Sequence, residues 1–179
     1  MVGSNGIATE PMSVSTDILR SYRAPRAVVR GLRHGDRREA RILVYLMIAC
    51  GLFFVAQWPR LQRQAQLDDT IPFEALMSGA LFGVVFVAPL VFYVVGWIMS
   101  VVLSMFVRGI NGFDVRLALF WSLLVVSPLS LLHGLVMGAF GMGPQASLTG
   151  LVIFCVFLVV LFAGLRVALE AAQAKRGAP

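Results

Sequence analysis

The chain has 179 residues, of which 59% are apolar and only 13% charged, and its mean hydropathy is +0.85. Soluble globular domains carry about 25% charged residues, so the composition excludes a soluble domain and indicates a polytopic membrane protein. The net charge of +6 would favour a nucleic acid partner in a soluble chain, but we predict none, because eight of the fifteen basic residues precede the first apolar run and form an orientation signal.

The first 41 residues divide into a polar extension and a basic segment. Residues 1–14 carry Gly, Ser, Asn and Pro without periodicity, which predicts disorder, and Met12 is an equally plausible start of the chain. This part has neither the apolar core nor the cleavage pattern of a signal peptide, so we expect the first span to place the chain in the membrane. Residues 15–41 are predicted to form a basic, amphipathic segment on the cytoplasmic side.

A helical pattern follows Pro25 in this basic segment. Val28, Val29 and Leu32 share one side of the predicted helix, and arginines occupy the other side. This pattern is typical of a helix that lies on an anionic membrane face. The candidate ligands of lipid headgroups are Arg26, Arg30, Arg33, Arg37 and Arg38. The alternative is a solvated basic linker that only sets the topology.

Four apolar runs predict an all-α fold, a membrane helix bundle of four transmembrane helices over residues 42–166. The predicted spans are about 42–58, 73–107, 115–137 and 148–165, followed by a basic, frayed tail at 167–179. A span needs about 20 apolar residues, so the first is near the lower limit, and Pro59 is expected to end it. After the Asn111-Gly112 turn, Asp114 is expected to cap the third span, which Pro128 interrupts.

The second span is the longest uncharged run of the chain. Residues 75–107 contain no Asp, Glu, Lys, Arg or His. As a helix this run would reach about 50 Å, against about 30 Å for the hydrocarbon core of a bilayer. Pro89 is expected to kink the helix, because proline removes a backbone hydrogen bond. A hairpin at Pro89 is the alternative, and a single helix is favoured because nothing nearby could satisfy the backbone groups of a turn in lipid.

Four spans place both termini on one side of the membrane. Thirteen basic residues fall on that side and two, Arg60 and Arg63, on the other, so the positive-inside rule predicts cytoplasmic termini. A five-span arrangement would put Arg108 and Arg116, or the first eight arginines, outside, and the charge distribution disfavours it. Fourteen of the fifteen basic residues are Arg, which is typical of a GC-rich bacterial genome, so we expect a bacterial inner membrane protein.

Groups that could carry chemistry are few. The chain has no metal-binding spacing, phosphate loop, nucleophile elbow or paired carboxylates, so we expect no enzyme activity, metal or cofactor. His133 is the ionisable residue expected at membrane depth. It would relay a proton or contact a ligand, or, as is favoured, remain neutral and bond to a hydroxyl or carbonyl of a neighbouring helix.

Small residues occur at four-residue spacing in two of the predicted spans. These pairs are Gly79 with Gly83, and Gly134 with Gly138. Such spacing lets two helix backbones approach closely. Packing within the chain is favoured, and a homodimer face is the alternative.

The segment between the second and third spans has a recognisable order of features. It reads Met105-Phe-Val-Arg-Gly-Ile-Asn-Gly-Phe-Asp-Val-Arg-Leu-Ala-Leu-Phe-Trp-Ser-Leu-Leu-Val-Val-Ser-Pro128. An apolar helix ends in a basic residue, a glycine turn follows, and the next helix carries an arginine near its start and then a proline. This order resembles the Yip1 family. Leu161-Phe-Ala-Gly-Leu-Arg166 and Ser21-Tyr-Arg-Ala-Pro25 are also similar to bacterial members.

The resemblance implies a cytoplasmic N-terminus and a fold of membrane helices. Eukaryotic relatives bind small GTPases and partner membrane proteins in vesicle traffic. The chain differs from the family pattern, because family members usually have a fifth span and only four are predicted here.

The leading functional hypothesis is a non-enzymatic membrane protein that acts as a scaffold, assembly factor or membrane-organising partner. Its expected partners are membrane lipid and other membrane proteins or a second copy of the chain. The alternative is a small transporter or channel component, in which Pro89 and Pro128 open a cavity near His133. A membrane-embedded enzyme ranks third, because no catalytic pair can be named.

Overall fold

The computed structural model describes residues 14–34, 39–67, 70–107 and 109–176. Every regular element in these ranges is helical. In chain order the helices are α1 (Val14–Ser21), α2 (Pro25–His34), α3 (Glu39–Leu67), α4 (Phe73–Phe82), α5 (Ala88–Phe106), α6 (Gly112–Phe140) and α7 (Pro144–Arg176). A π-helical turn, Gly83–Val87, joins α4 to α5 without a break. Residues 1–13 of the predicted disordered extension lie outside the described residues.

The all-α architecture is confirmed for the described residues. Within the described ranges, four helical runs are long and apolar enough to cross a membrane, namely Glu39–Leu67, Phe73–Phe106, Gly112–Phe140 and Pro144–Ala174. The second run consists of α4, the π turn and α5. The prediction of one helix is therefore confirmed over a hairpin at Pro89.

The π turn lies directly before Pro89 in the second span. The backbone N–H of Ala88 donates to the carbonyl of Gly83, five residues earlier, where a regular helix would bond four residues back. Because Pro89 has no N–H, the regular ladder is interrupted at the next residue as well. The turn is therefore explained by the sequence, and the predicted kink at Pro89 stays a prediction.

The first span is longer than predicted. Helix α3 continues through Pro59 to Leu67, so the prediction that Pro59 ends the helix is wrong. Beyond Pro59, the Arg63 guanidinium donates to the carbonyls of Gly138 and Ala139 at 3.2 and 3.1 Å. These carbonyls stand in the last turn of α6, where no intrahelical donor reaches them. Packing against α6 thus offsets the hydrogen bond that proline removes.

Two other predicted boundaries are corrected. Helix α6 is capped by Asn111, whose side-chain oxygen accepts from the N–H of Phe113 at 3.1 Å, and Asp114 lies in the first turn instead. The tail predicted to fray from residue 167 is helical to Arg176. Buried side chains extend along this part of α7, at Val167, Ala168, Ala171 and Ala172. The physical reason is tertiary contact, because this part of α7 packs against α2.

Helix α6 is the centre of the bundle. Its contacts with α3 and α7 are the most extensive in the structure, and its contact with α5 is smaller. Helix α4 packs against α3 instead. Nearly every residue from Asp114 to Ser127 is buried. The largest fully buried side chains are Trp121, Phe120, Ile42, Leu46 and Leu124. The core therefore lies in the half of the bundle that contains the start of α6, the start of α3 and the end of α7.

Candidate functional site: the basic end of the bundle

Helices α1 and α2 pack against the membrane bundle. The side chains of Val28, Val29 and Leu32 are at most 8% exposed and join the core formed with α3, α6 and α7. The apolar side predicted for α2 thus contacts protein. The exposed side of this helix carries Arg26 and Arg30. We call the end of the bundle where α1, α2, the start of α6 and the end of α7 meet the basic end.

Two side-chain hydrogen bonds attach the end of α1 and the start of the α1–α2 connection to α6. The indole N–H of Trp121 donates to the Ser21 hydroxyl at 3.0 Å, and this hydroxyl donates to the carbonyl of Asp17 at 2.8 Å. The Tyr22 hydroxyl donates to the carbonyl of Val125 at 2.6 Å. Burial raises the pKa of the Tyr22 phenol, so it stays protonated and remains a donor at neutral pH.

The carbonyl bound by Tyr22 lies next to the proline of α6. Pro128 has no N–H for the carbonyl of Leu124, and the Ser127 hydroxyl donates to this carbonyl at 2.8 Å instead. The carbonyl of Val125 follows in the same disturbed turn and accepts from Tyr22. Pro128 therefore helps to expose backbone acceptors in the core, and a hydroxyl from α6 and one from the α1–α2 connection bind them.

A buried ion pair joins α2 to the first turn of α6. The Nε of Arg33 lies 3.0 Å from Oδ2 of Asp114, and the two side chains are 14% and 4% exposed. A carboxylate in the first helical turn also interacts favourably with the positive end of the helix dipole. Arg33, predicted to bind a lipid headgroup, is therefore engaged inside the protein.

A groove runs between α2 and α7 at the basic end. Its volume is about 650 Å³, and its walls carry four arginines, Arg23, Arg26, Arg30 and Arg166. Val159, Phe162 and Ala163 form the apolar wall on the α7 side. Arg30 also pairs with Glu170 at 2.8 Å, with both side chains about half exposed. We call this feature the α2–α7 groove.

The predicted headgroup ligands divide into three groups. Arg26 and Arg30 line the α2–α7 groove, Arg33 binds Asp114, and Arg37 and Arg38 lie outside the described residues. Sequence reasoning missed Arg23 and Arg166 as members of the groove. A signal for Arg166 existed, because it directly follows the last apolar run, but no periodicity shows that α2 lies beside it.

His133 contacts the neighbouring helix. Its Nδ1 lies 2.7 Å from the hydroxyl oxygen of Thr149 on α7, which has backbone carbonyls of Gln145 and Ala146 at 3.0 Å. Because the hydroxyl has one proton and these carbonyls can accept it, the geometry favours donation from Nδ1–H of the imidazole to Thr149. Nε2 is then left as an acceptor.

A crevice of about 410 Å³ adjoins His133 between α3, α5 and α6. Its polar lining comes from Gln57, Arg60, Ser130 and His133, and the rest of the lining is apolar and includes Phe53 and Phe92. Neither Pro89 nor Pro128 lines it. Within the described residues, no group of three His, Cys, Asp or Glu side chains could hold a metal ion.

The two glycine pairs have different environments. A Cβ on Gly134 would lie 1.9 Å from the carbonyl oxygen of Ala56, and one on Gly138 would lie 2.4 Å from Cβ of Pro59. Helices α3 and α6 therefore meet at these two glycines. A Cβ on Gly79 or Gly83 would have no heavy atom within 4 Å, apart from chain neighbours and the helix's own backbone.

Neither protein-family models, nor curated proteins, nor solved structures match this chain. The resemblance to the Yip1 family therefore stays a prediction based on the residues quoted above. The arguments about function that follow depend on the contacts, burial and charges of the described residues.

Proposed function

We propose that the protein is a non-enzymatic integral membrane protein that acts as a scaffold, assembly factor or membrane-organising partner. The observation that supports this most directly is the unequal burial of the four spans. In the most apolar stretch of Phe73–Phe106 only 11% of the residues are buried, against 28% to 33% in the other three spans. The second span thus exposes a larger share of its residues to the surroundings than any of the other three spans.

The face around the π turn has the properties of a helix-binding surface. Gly79 and Gly83 meet open space, so the backbone of another helix could approach closely there. Neither α4 nor the π turn contains a buried residue. Phe82 and Phe86 flank the glycines, with 61% and 66% of their surface exposed, and would pack against the partner. The partner is another membrane protein or a second copy of the chain.

The placement that we propose follows the charge distribution. Both termini and the turn before α6 are cytoplasmic, in a bacterial inner membrane, and α2 is an amphipathic segment whose exposed arginines contact lipid headgroups. Pro89 kinks the second span, which brings its length closer to the thickness of the bilayer. Membership of the Yip1 family, whose eukaryotic relatives bind partner membrane proteins, is consistent with this role.

The experiment that tests the proposal is purification in nanodiscs from native membrane, followed by mass spectrometry of the retained proteins. We expect a stoichiometric protein partner or a homodimer. The double variant Gly79→Leu/Gly83→Leu should lose it, because two isobutyl groups would hold the helices apart. Gly51→Leu is the matched control, since Gly51 on α3 also faces open space. A monomer that retains only lipid, or a partner equally retained by the double variant, would contradict the proposal.

The crevice beside His133 favours a second candidate, a small transporter or channel component. Its lining combines an imidazole, a guanidinium and a carboxamide with aromatic side chains at the interface of three spans. The test is proton flux into liposomes, measured with an internal pH dye. Loss of flux in His133→Leu at normal abundance would favour transport. Loss of abundance without an effect on flux per molecule would favour a packing role.

A further inference from the structure

We propose that the α2–α7 groove binds one anionic phospholipid, with its phosphate against Arg23, Arg26 and Arg166 and an acyl chain along Val159 and Phe162. This inference rests on the proposed function, because it takes lipid contact to be part of the protein's role. It adds a defined site and a ligand class to that role. It does not depend on the second span or its partner.

The position of the groove along α7 matches the boundary of the hydrocarbon core. Helix α7 begins at Pro144, and its uncharged run ends immediately before Arg166. The distance along the helix between these two residues is about 33 Å at about 1.5 Å per residue, close to the core thickness of about 30 Å. Arg166 thus lies at headgroup level when the helix crosses the bilayer, and Val159 lies within the hydrocarbon region.

The charge of the groove favours an anion. Four guanidinium groups line it, and the carboxylate of Glu170 pairs with one of them, Arg30. Within the described residues, Arg23, Arg26 and Arg166 have no side-chain hydrogen bond or ion pair. Guanidinium groups bind phosphate oxygens in a bidentate manner and are less strongly hydrated than ammonium groups, so three of them at a membrane surface form a phosphate site.

The apolar wall identifies the phosphate as that of a lipid. Val159 and Phe162 are 61% and 59% exposed, directly beside the arginines. A free phosphate would contact only the arginines and gain nothing from this wall. A phospholipid satisfies both parts of the groove, because its acyl chain continues from the phosphate into the hydrocarbon region. The volume of about 650 Å³ is of the size usual for small-molecule sites, which is about 300–1,000 Å³.

Native mass spectrometry of the full chain in detergent micelles tests this inference. The probes are phosphatidylglycerol and phosphatidylcholine with identical acyl chains. We expect one phosphatidylglycerol molecule to bind at least about tenfold more tightly than phosphatidylcholine. Phosphatidylglycerol has a net negative charge, whereas the choline cation of phosphatidylcholine neutralises the phosphate. Millimolar glycerol phosphate should not displace it, because glycerol phosphate has no acyl chain. Displacement, or equal binding of the two lipids, would overturn the inference.

Three variants locate the binding. Arg26→Gln/Arg166→Gln should weaken phosphatidylglycerol binding about tenfold or more, since two charge-assisted contacts are lost. Arg60→Gln is the control for loss of an arginine and should leave phosphatidylglycerol binding unchanged. Arg60 lines the crevice beside His133, not the α2–α7 groove. Glu170→Gln should strengthen binding, because it removes the carboxylate that neutralises Arg30.

The Glu170→Gln variant separates binding from folding, because impaired folding would not raise affinity. Unchanged binding in the double variant, or no gain in Glu170→Gln, would overturn the inference. Partner retention on the second span is measured independently in the nanodisc experiment. If the chain retains a partner but does not bind phosphatidylglycerol selectively, the lipid site alone is rejected. If it binds phosphatidylglycerol selectively but retains no partner, the scaffold role alone is rejected.

Discussion

The interface between α3 and α6 and the outer face of α4 with the π turn are built from the same sequence pattern and have opposite environments. Each contains two glycines four residues apart. At Gly134 the backbone of Ala56 on α3 fills the space a side chain would need, and at Gly138 the ring of Pro59 fills it, whereas at Gly79 and Gly83 the space is empty. The spacing of small residues therefore shows where helices could meet. The spacing does not show whether the second helix of such a contact belongs to the same chain.

The largest expected effect is at the α3–α6 interface. Gly134→Ala would place a Cβ against the carbonyl oxygen of Ala56, so the two helices must move apart, at a cost of about 3 kcal/mol in the free energy of unfolding. Unfolding in SDS, followed by tryptophan fluorescence, measures this. Gly79→Ala is the matched control and should be stabilising by about 0.5–1 kcal/mol, as is usual for an open helical position. Equal effects at both positions would refute the comparison.

A smaller effect is expected at the ion pair that joins α2 to α6. Asp114→Asn leaves the Arg33 guanidinium without its carboxylate, and we expect a loss of about 2 kcal/mol in the free energy of unfolding. This is below the about 3–5 kcal/mol of a fully buried pair, because Arg33 keeps some contact with solvent. The same SDS titration measures it.

The exposed pair Arg30–Glu170 is the control for the ion-pair experiment. Both side chains are about half exposed, so Glu170→Gln should change the free energy of unfolding by less than about 0.5 kcal/mol. A large loss in Glu170→Gln, or none in Asp114→Asn, would show that the two pairs do not differ as their burial indicates.

Of the three contacts with α6, the smallest loss of stability is expected where the connection between α1 and α2 meets this helix. Tyr22→Phe removes the hydroxyl that binds the carbonyl of Val125 and should cost about 1 kcal/mol. The loss should appear first as faster proteolysis in residues 14–34, because the rest of the bundle keeps its contacts. Limited trypsin digestion in nanodiscs measures this rate. An unchanged rate would mean that the hydrogen bond does not hold α1 in place.

Much of the membrane architecture follows from the sequence. The four apolar runs predicted four spans, and the described residues contain four helices long and apolar enough to cross a membrane. Charged side chains are costly in hydrocarbon, so their absence over a long run is a clear signal. A single helix through Pro89 was likewise predictable, since a turn in lipid would leave backbone groups unsatisfied. The helix ends were less predictable. Pro59 lies inside α3 and residue 167 inside α7 because neighbouring helices stabilise both extensions.

The site was predictable only in part. A basic surface around α2 was expected, and Arg26 and Arg30 belong to the α2–α7 groove, yet Arg23 and Arg166 joined it only through the packing of α2 on α7. His133 was expected to bond to a hydroxyl or carbonyl of a neighbouring helix, but not to Thr149 in particular. Contacts of this kind join residues far apart in sequence, and one helix's periodicity carries no information about its neighbour.

The sequence by itself determined the number of spans, their approximate positions and the concentration of arginines at one end, because burial in lipid acts on each segment separately. The tertiary structure alone decided which side of α2 is covered, which of the arginines at the basic end have an acidic partner and which glycines contact a neighbouring helix. These properties depend on how the surfaces of two helices fit together. That fit arises only when α2, α3 and α7 all pack around α6.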